Sequence, residues 1–285
     1  MNKIILVACL LTLCCCSKGK FPSERVMKIS FDGTSYDPML CDFIFPDPVN
    51  STALIELRSK HETDHLIKGT TSDLQRAMII LNWTHGKWEH NPENRPTSSD
   101  ALTILNEADQ GAQFRCVEYG IVLSAALNSI GIPTRTLGLK TRDVETTKYG
   151  AGHVVSEAYL PDLNKWVFLD GQLNYIPFLG SKPLNAVEYQ QAIVAQKDEI
   201  KLMNQQGQLT LKKTKSYVDW VGKYLYYFDT YFDHTEQSTM RCNGKKKLML
   251  YPLNTRPPRI FQIKDSINNC LYTNNLKDFY RDPKF

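Results

Sequence analysis

The chain has 285 residues, 42% of them hydrophobic, which suffices for one large domain, or a domain plus an extension, around a proper core. Its formal charge is +4, and the lysines and arginines are scattered apart from Lys245-Lys246-Lys247. That distribution argues against a nucleic-acid surface or any other polyanion partner.

Residues 1–16 read as a targeting leader. Lys3 supplies the positive start, and residues 4–13 form a mostly apolar run too short to cross a bilayer, as in a segment that is removed. The stretch Leu13-Cys14-Cys15-Cys16-Ser17-Lys18 resembles the lipobox of bacterial lipoproteins, with Leu three positions before a cysteine. The resemblance implies lipidation at Cys16 and a lipid-anchored, periplasmic or surface-facing place in the cell envelope. Cys14 and Cys15 stand where smaller residues are usual, so Cys14 is a second modifiable position, and an ordinary cleaved leader is the alternative.

Residues 17–50, rich in Pro, Ser and Asp, read as a tether followed by irregular structure or an edge strand. Ser72-Asp73-Leu74-Gln75 is a capping box, and Leu74, Ala77, Met78, Leu81 and Trp88 predict a helix stopped by Asn91-Pro92. A shorter helix is expected from Ser98 or Ser99 toward Gly111. Residues 116–130 are apolar on nearly every face and end at Gly131-Ile132-Pro133, the pattern of a buried central helix. Strands are predicted at 134–139, 154–160 and 165–169, with a turn over 161–164 between the last two. A helix opens at Asn185, with Glu188 completing its capping box, and is expected to end near Gly207. Residues 208–285 carry an aromatic cluster over 217–232 and strands near 247–251 and 259–263. The expected organisation is a leader at 1–16, a tether at 17–50, a catalytic domain at 51–207 and a C-terminal aromatic-rich extension at 208–285 packed on the core.

Three stretches belong together. They are Gln113-Phe114-Arg115-Cys116-Val117-Glu118-Tyr119 leading through the helix to Gly131-Ile132-Pro133-Thr134-Arg135, then Gly150-Ala151-Gly152-His153-Val154-Val155-Ser156-Glu157, then Lys165-Trp166-Val167-Phe168-Leu169-Asp170. A Cys opening a helix that ends in Gly-Ile-Pro, a His opening a strand, and a Trp ahead of an Asp on the next strand resemble the transglutaminase-like superfamily over roughly residues 55–175, including the helix with Trp83 and Trp88. The resemblance implies an α+β, papain-like core, with the Cys-bearing central helix packed on an antiparallel β-sheet. It also implies a catalytic triad of Cys116, His153 and Asp170.

Those residue types suit the chemistry. A thiol is a useful nucleophile as its thiolate, and the unpaired N–H groups of a helix start stabilise an anion. An imidazole then holds or passes the proton, and a carboxylate on its far side fixes the ring. Taken singly, each residue has a plainer structural role; the ordered set points to catalysis. A turn centred near Leu163 places Asp170 opposite about Ser156, so a bulge or longer turn is expected to bring it to His153. The oxyanion hole is expected to use the backbone N–H of Cys116 and a second donor among Gln113, Asn82, Trp83 and Trp88, with Glu157 a further candidate for substrate contact. The plainer reading of Glu118 and Glu157 is structural or peripheral, and that of Arg115 is a neighbouring cation.

One competing motif is literal. His61-Glu62-Thr63-Asp64-His65 fits the zinc-protease pattern H-E-x-x-H, but its flanks lack the apolar periodicity of a buried zincin helix, so no metal site is expected. The four cysteines beyond the leader are too widely spaced for a disulfide framework; if a bridge forms, it is expected among Cys41, Cys242 and Cys270, with Cys116 left free.

The expected function is cysteine-dependent acyl transfer from a peptide or protein amide without a cofactor, with hydrolysis favoured. The loop over 141–152 is too polar for the dry tunnel that amine transfer needs. The alternatives are a protein-crosslinking transglutaminase, or a glycan- or peptide-binding lipoprotein that keeps the fold without turnover.

Overall fold

A computed structural model describes residues 26–34, 37–196, 199–235 and 238–284. The expected leader, Cys16 and Cys14 lie outside the described residues.

Ser51 caps the first helix, α1 (Thr52–Lys60), by accepting from the Leu54 N–H, and Leu54 and Leu57 are buried beneath it. This helix and its short successor α2 (Thr63–Leu66) were not expected from the sequence. Glu62 between them takes a left-handed conformation, φ 48°. The break means that His61 and His65 do not share one continuous helical face, which is what a zinc-binding H-E-x-x-H requires.

Ser72 caps α3 (Asp73–His85) as predicted, accepting from Gln75 N at 3.2 Å. The helix ends at His85 rather than at Asn91-Pro92. Gly86 closes it with an N–H bonded to Asn82 O, and Trp88 returns to the core from a loop, its ring against Phe114 and Tyr119. The next helix, α4 (Ala101–Asp109), starts slightly later than expected because Asp100 is its cap, accepting from Thr103 N at 2.8 Å. The central helix α5 (Cys116–Ser129) falls where the apolar run placed it.

Three strands follow: β1 (Thr134–Lys140), β2 (Gly152–Leu160) and β3 (Lys165–Leu169), with a 3-10 turn at Pro161–Leu163 in the last connection. After them come β4 (Ile176–Leu179), β5 (Lys182–Pro183) and α6 (Ala186–Gln196), then β6 (Ile200–Asn204) and β7 (Gly207–Gln208). The Asn185–Glu188 capping box is present in both directions, at 3.0 and 2.8 Å. The helix it opens stops well short of Gly207, however. Ile200 and Leu202 are buried on alternate positions, a strand period, and the chain turns back as a hairpin.

The last stretch holds α7 (Leu211–Val221), β8 (Tyr227–Tyr231), β9 (Lys247–Leu250), β10 (Ile260–Phe261), β11 (Asp265–Ser266), β12 (Cys270–Thr273) and α8 (Leu276–Phe279). Thr210 caps α7, and Thr214, Tyr217, Val218 and Val221 recur inward at helical spacing.

The main sheet has the order β12-β9-β8-β1-β2-β3, antiparallel except between β12 and β9, so residues 208–285 supply three of its six strands. A second, four-stranded sheet runs β5-β4-β6-β7. Helices α1, α3, α4 and α5 cover one face of the main sheet through a core that includes Leu57, Ile80, Leu105, Leu123, Ala158 and Val167. The other face packs on α6 and α7 through Leu137, Val155, Phe168, Tyr189 and Val218. The chain is therefore a mixed α and β fold with its central helix laid directly on the sheet. Gly120 permits that closeness, since a Cβ there would lie 2.9 Å from Val154 Cγ1 and 3.3 Å from Val155 O.

Two long-range devices fix the terminal segments. Arg135 and Glu157, opposite each other on β1 and β2 and both 0% exposed, form an ion pair at 2.7 Å. The Arg135 guanidinium also lies over the rings of Trp166 and Phe279 and donates to Phe279 O, while Glu157 accepts from Ala186 N and Tyr280. A disulfide joins Cys41 to Cys242, as expected among those cysteines, and leaves Cys116 and Cys270 free. Among the described residues no helix is long and apolar enough to cross a membrane.

Candidate active site

Cys116 is the first residue of α5, partly exposed, where the helix has N–H groups without intrahelical partners. The start of the helix is held by Glu118, which is buried and accepts from both Arg115 N and Arg115 Nε, at 3.1 and 3.2 Å. Arg115 and Glu118 thus neutralise each other and fix the turn that presents the thiol.

His153 is the second residue of β2 and is 3% exposed. Its Nε2 lies 2.8 Å from Oδ2 of Asp170, which is 0% exposed just beyond the end of β3. No bulge closes the distance. Ser156 pairs with Leu169, so Asp170 falls opposite Val155 and is the diagonal neighbour of His153 on the same face, within reach of a carboxylate and an imidazole.

Burial alone would push the His153 pKa down. The charge and hydrogen bond of Asp170, with those of a thiolate at Cys116, outweigh it and hold the imidazolium up to about 10. Burial likewise raises the carboxyl of Asp170, and the His153 charge together with hydrogen bonds from His153, Tyr217 and the Leu173 N–H brings it below its ordinary value. With Nε2 engaged by Asp170, Nδ1 is the ring nitrogen left for the thiol.

The turn after Asp170 is closed on itself and on α3. Asp170 N donates to Tyr175 O at 2.9 Å, Leu173 N to Asp170 Oδ1 at 3.0 Å, and Asn174 Nδ2 to Asn82 Oδ1 at 3.0 Å. Gly171 lies against α5, where a Cβ would stand 3.3 Å from both Tyr119 Cβ and Tyr119 O.

The other candidates separate. Trp88 packs on Tyr119, one turn beyond Cys116, at 4.5 Å between centroids, and its buried Nε1 has no protein partner. Trp83 instead packs on His61 and beneath Lys87, and Gln113 is exposed. Asn82 is engaged by Asn174 and Gln206. Glu157 is not free for substrate, because the Arg135 guanidinium, Ala186 N and Tyr280 take up its carboxylate.

Four residues that the sequence did not single out for the site lie at it. From α7 and the turn after it, Tyr217 donates to Asp170 Oδ2 at 2.7 Å, Trp220 meets the His153 ring edge-to-face at 4.9 Å, and Tyr224 lies 5.9 Å from it. His90 is the fourth. Its backbone bridges Phe114, just ahead of Cys116, and burial with the His153 charge lowers its pKa while Asp170 opposes them. The aromatic cluster over 217–232 was the available signal for the first three, but its spacing gives no direction toward the site.

Residues 60–171 match the sequence model of the Transglutaminase-like superfamily. No curated protein matches the sequence. Solved structures that share similarity over part of their length include these three. A candidate cysteine protease from Cytophaga hutchinsonii has a TM-score of 0.33 at 12% identity, over 57% of this chain and 55% of its own. A candidate protease from Parabacteroides distasonis has 0.31 at 13% identity, over 57% of this chain and 28% of its own. The periplasmic domain of TgpA from Pseudomonas aeruginosa, bound to ethylmercury, has 0.33 at 16% identity, over 41% of this chain and 44% of its own. The chain thus spans about half the length of these proteins or less.

Proposed function

We propose that this chain, which carries a transglutaminase-like superfamily domain at residues 60–171, is an envelope lipoprotein that hydrolyses a peptide or protein amide through Cys116, His153 and Asp170. The observation that carries the reading is the buried 2.8 Å contact between His153 Nε2 and Asp170 Oδ2 beside a thiol at a helix start. In this reading the Cys116 thiolate attacks the amide carbonyl, and the oxyanion is met by the Cys116 N–H and by Trp88 Nε1. The His153 imidazolium gives its proton to the departing amine, leaving a thioester. His153 then takes a proton from water as the water attacks, the acid leaves and the thiol is restored.

Export is supported by the leader-like start and by the Cys41–Cys242 disulfide, a bond that persists in oxidising compartments. Lipidation at Cys16 is tested by fatty-acid labelling. Label kept in Cys16→Ser but lost in Cys14→Ser moves the anchor to Cys14, and no label in the wild type leaves a simple secreted protein.

Activity is tested with glutaminyl and ordinary peptide pools, with and without a labelled primary amine, using Cys116→Ala as the blank. Free acid formed only by the wild type is the expected result. Amine incorporation outrunning free acid would make the protein a crosslinking enzyme, and no product from any pool would favour the binding lipoprotein.

A further inference from the structure

We propose that Tyr217 is a positioning residue of this centre: its hydroxyl fixes the Asp170 carboxylate against His153, so that the working unit includes α7, outside residues 60–171. The inference rests on the triad reading above.

Asp170 is 0% exposed and has two oxygens to satisfy. Oδ1 accepts from Leu173 N at 3.0 Å, while Oδ2 accepts from His153 Nε2 at 2.8 Å and from the Tyr217 hydroxyl at 2.7 Å. Two donors on one oxygen leave the carboxylate little freedom to rotate away from the imidazole. Tyr217 is itself 5% exposed, and burial with the nearby Asp170 charge keeps its phenol protonated, so it acts as a donor.

Its ring also braces the turn. Tyr217 meets Tyr175 edge-to-face at 5.0 Å, and Tyr175 O is the acceptor for Asp170 N. Tyr217 therefore holds Asp170 through the side chain and, by way of Tyr175, through the backbone. One turn along α7, Trp220 lies on the imidazole, so the same helix meets both members of the pair. A tyrosine that only filled the core would satisfy its hydroxyl on any nearby acceptor. This one ends on the oxygen that orients His153.

The test is the pH dependence of Cys116 alkylation by iodoacetamide in the full mature chain, a readout that needs no substrate. Wild type, Tyr217→Phe, Asp170→Asn and the double variant are compared at a temperature where all are folded. Losing a hydrogen bond to a charged group should slow alkylation near neutral pH about ten-fold in Tyr217→Phe. The acid limb should move to higher pH, because Asp170 loses a donor that favours its ionised form. In the Asp170→Asn background the same change should add little.

A Tyr217→Phe profile that superimposes on the wild type overturns the proposal, even if the variant melts earlier. So do effects that multiply fully in the double variant. If wild-type Cys116 reacts no faster than Cys270, the triad reading falls and this proposal falls with it. A fast wild type with an equally fast Tyr217→Phe removes Tyr217 alone.

Discussion

His153 and Asp170 meet as diagonal neighbours on one face of the β2–β3 hairpin, Nε2 to Oδ2 at 2.8 Å, with both side chains removed from water. Burying two such groups is tolerable because each stabilises the charged form of the other.

Stability should therefore depend on pH through His153. Its pKa is raised in the folded chain to about 10, so its contribution is fully present below the ordinary value of 6.5 and is lost as pH rises between the two. Denaturant midpoints measured from pH 6 to pH 10 should fall for the wild type and change less for His153→Ala. Parallel curves for the two proteins would contradict the raised value.

Gly171→Ala should misplace Asp170. The added methyl would press on Tyr119 of α5 at 3.3 Å, and backbone atoms must move to accept it. A cost of about 1–3 kcal/mol is expected, with slower Cys116 alkylation in the folded variant. Unchanged alkylation would mean that the turn moves without carrying the carboxylate.

Glu157→Gln should act on folding alone. It leaves the 0%-exposed Arg135 facing a neutral amide, and breaking a buried pair in this way costs about 3–5 kcal/mol. At a temperature where the variant is folded, Cys116 should react as in the wild type. A changed pH profile for Cys116 would return Glu157 to the site.

Trp88→Phe tests the oxyanion role proposed for Trp88. The substitution keeps an aromatic ring on Tyr119 and removes Nε1, so turnover of a responsive peptide should fall about 100-fold while Cys116 alkylation is kept. Turnover at the wild-type rate would exclude Trp88 as the donor.

Reduction of Cys41–Cys242 should loosen the N-terminal segment. The bond closes a loop across 201 residues, and its loss should cost about 2–5 kcal/mol in chain entropy. Thermal melts with and without a mild reductant measure this. Equal melts would show that the contacts of Phe43 with Phe232 and of Arg135 with Phe279 O suffice to hold the termini.

The sequence by itself determined the local elements whose signals are local. The apolar run from Cys116, the strand pattern over 154–160, the 161–164 turn and the Asn185–Glu188 cap lie within a few residues of the structure they specify, and each element formed where its pattern stood, β2 beginning two residues early at Gly152. The order of Cys116, His153 and Asp170 likewise placed three chemically matched residues at a helix start, on a strand and just past the end of the next strand. Helix α7 was legible in the same way through Thr214, Tyr217, Val218 and Val221, but the density of aromatic residues around it masked the period.

What only the tertiary structure decided is which groups meet across the chain. Glu157 is drawn to Arg135 on the neighbouring strand, because a buried carboxylate takes the nearest cation rather than an open cleft. Tyr217, 47 positions beyond Asp170, reaches it because α7 packs on the sheet face that His153 and Asp170 share. Residue spacing encodes periodicity along one element; the partner of a buried polar atom is set by how separate elements pack, and a linear pattern carries no record of that.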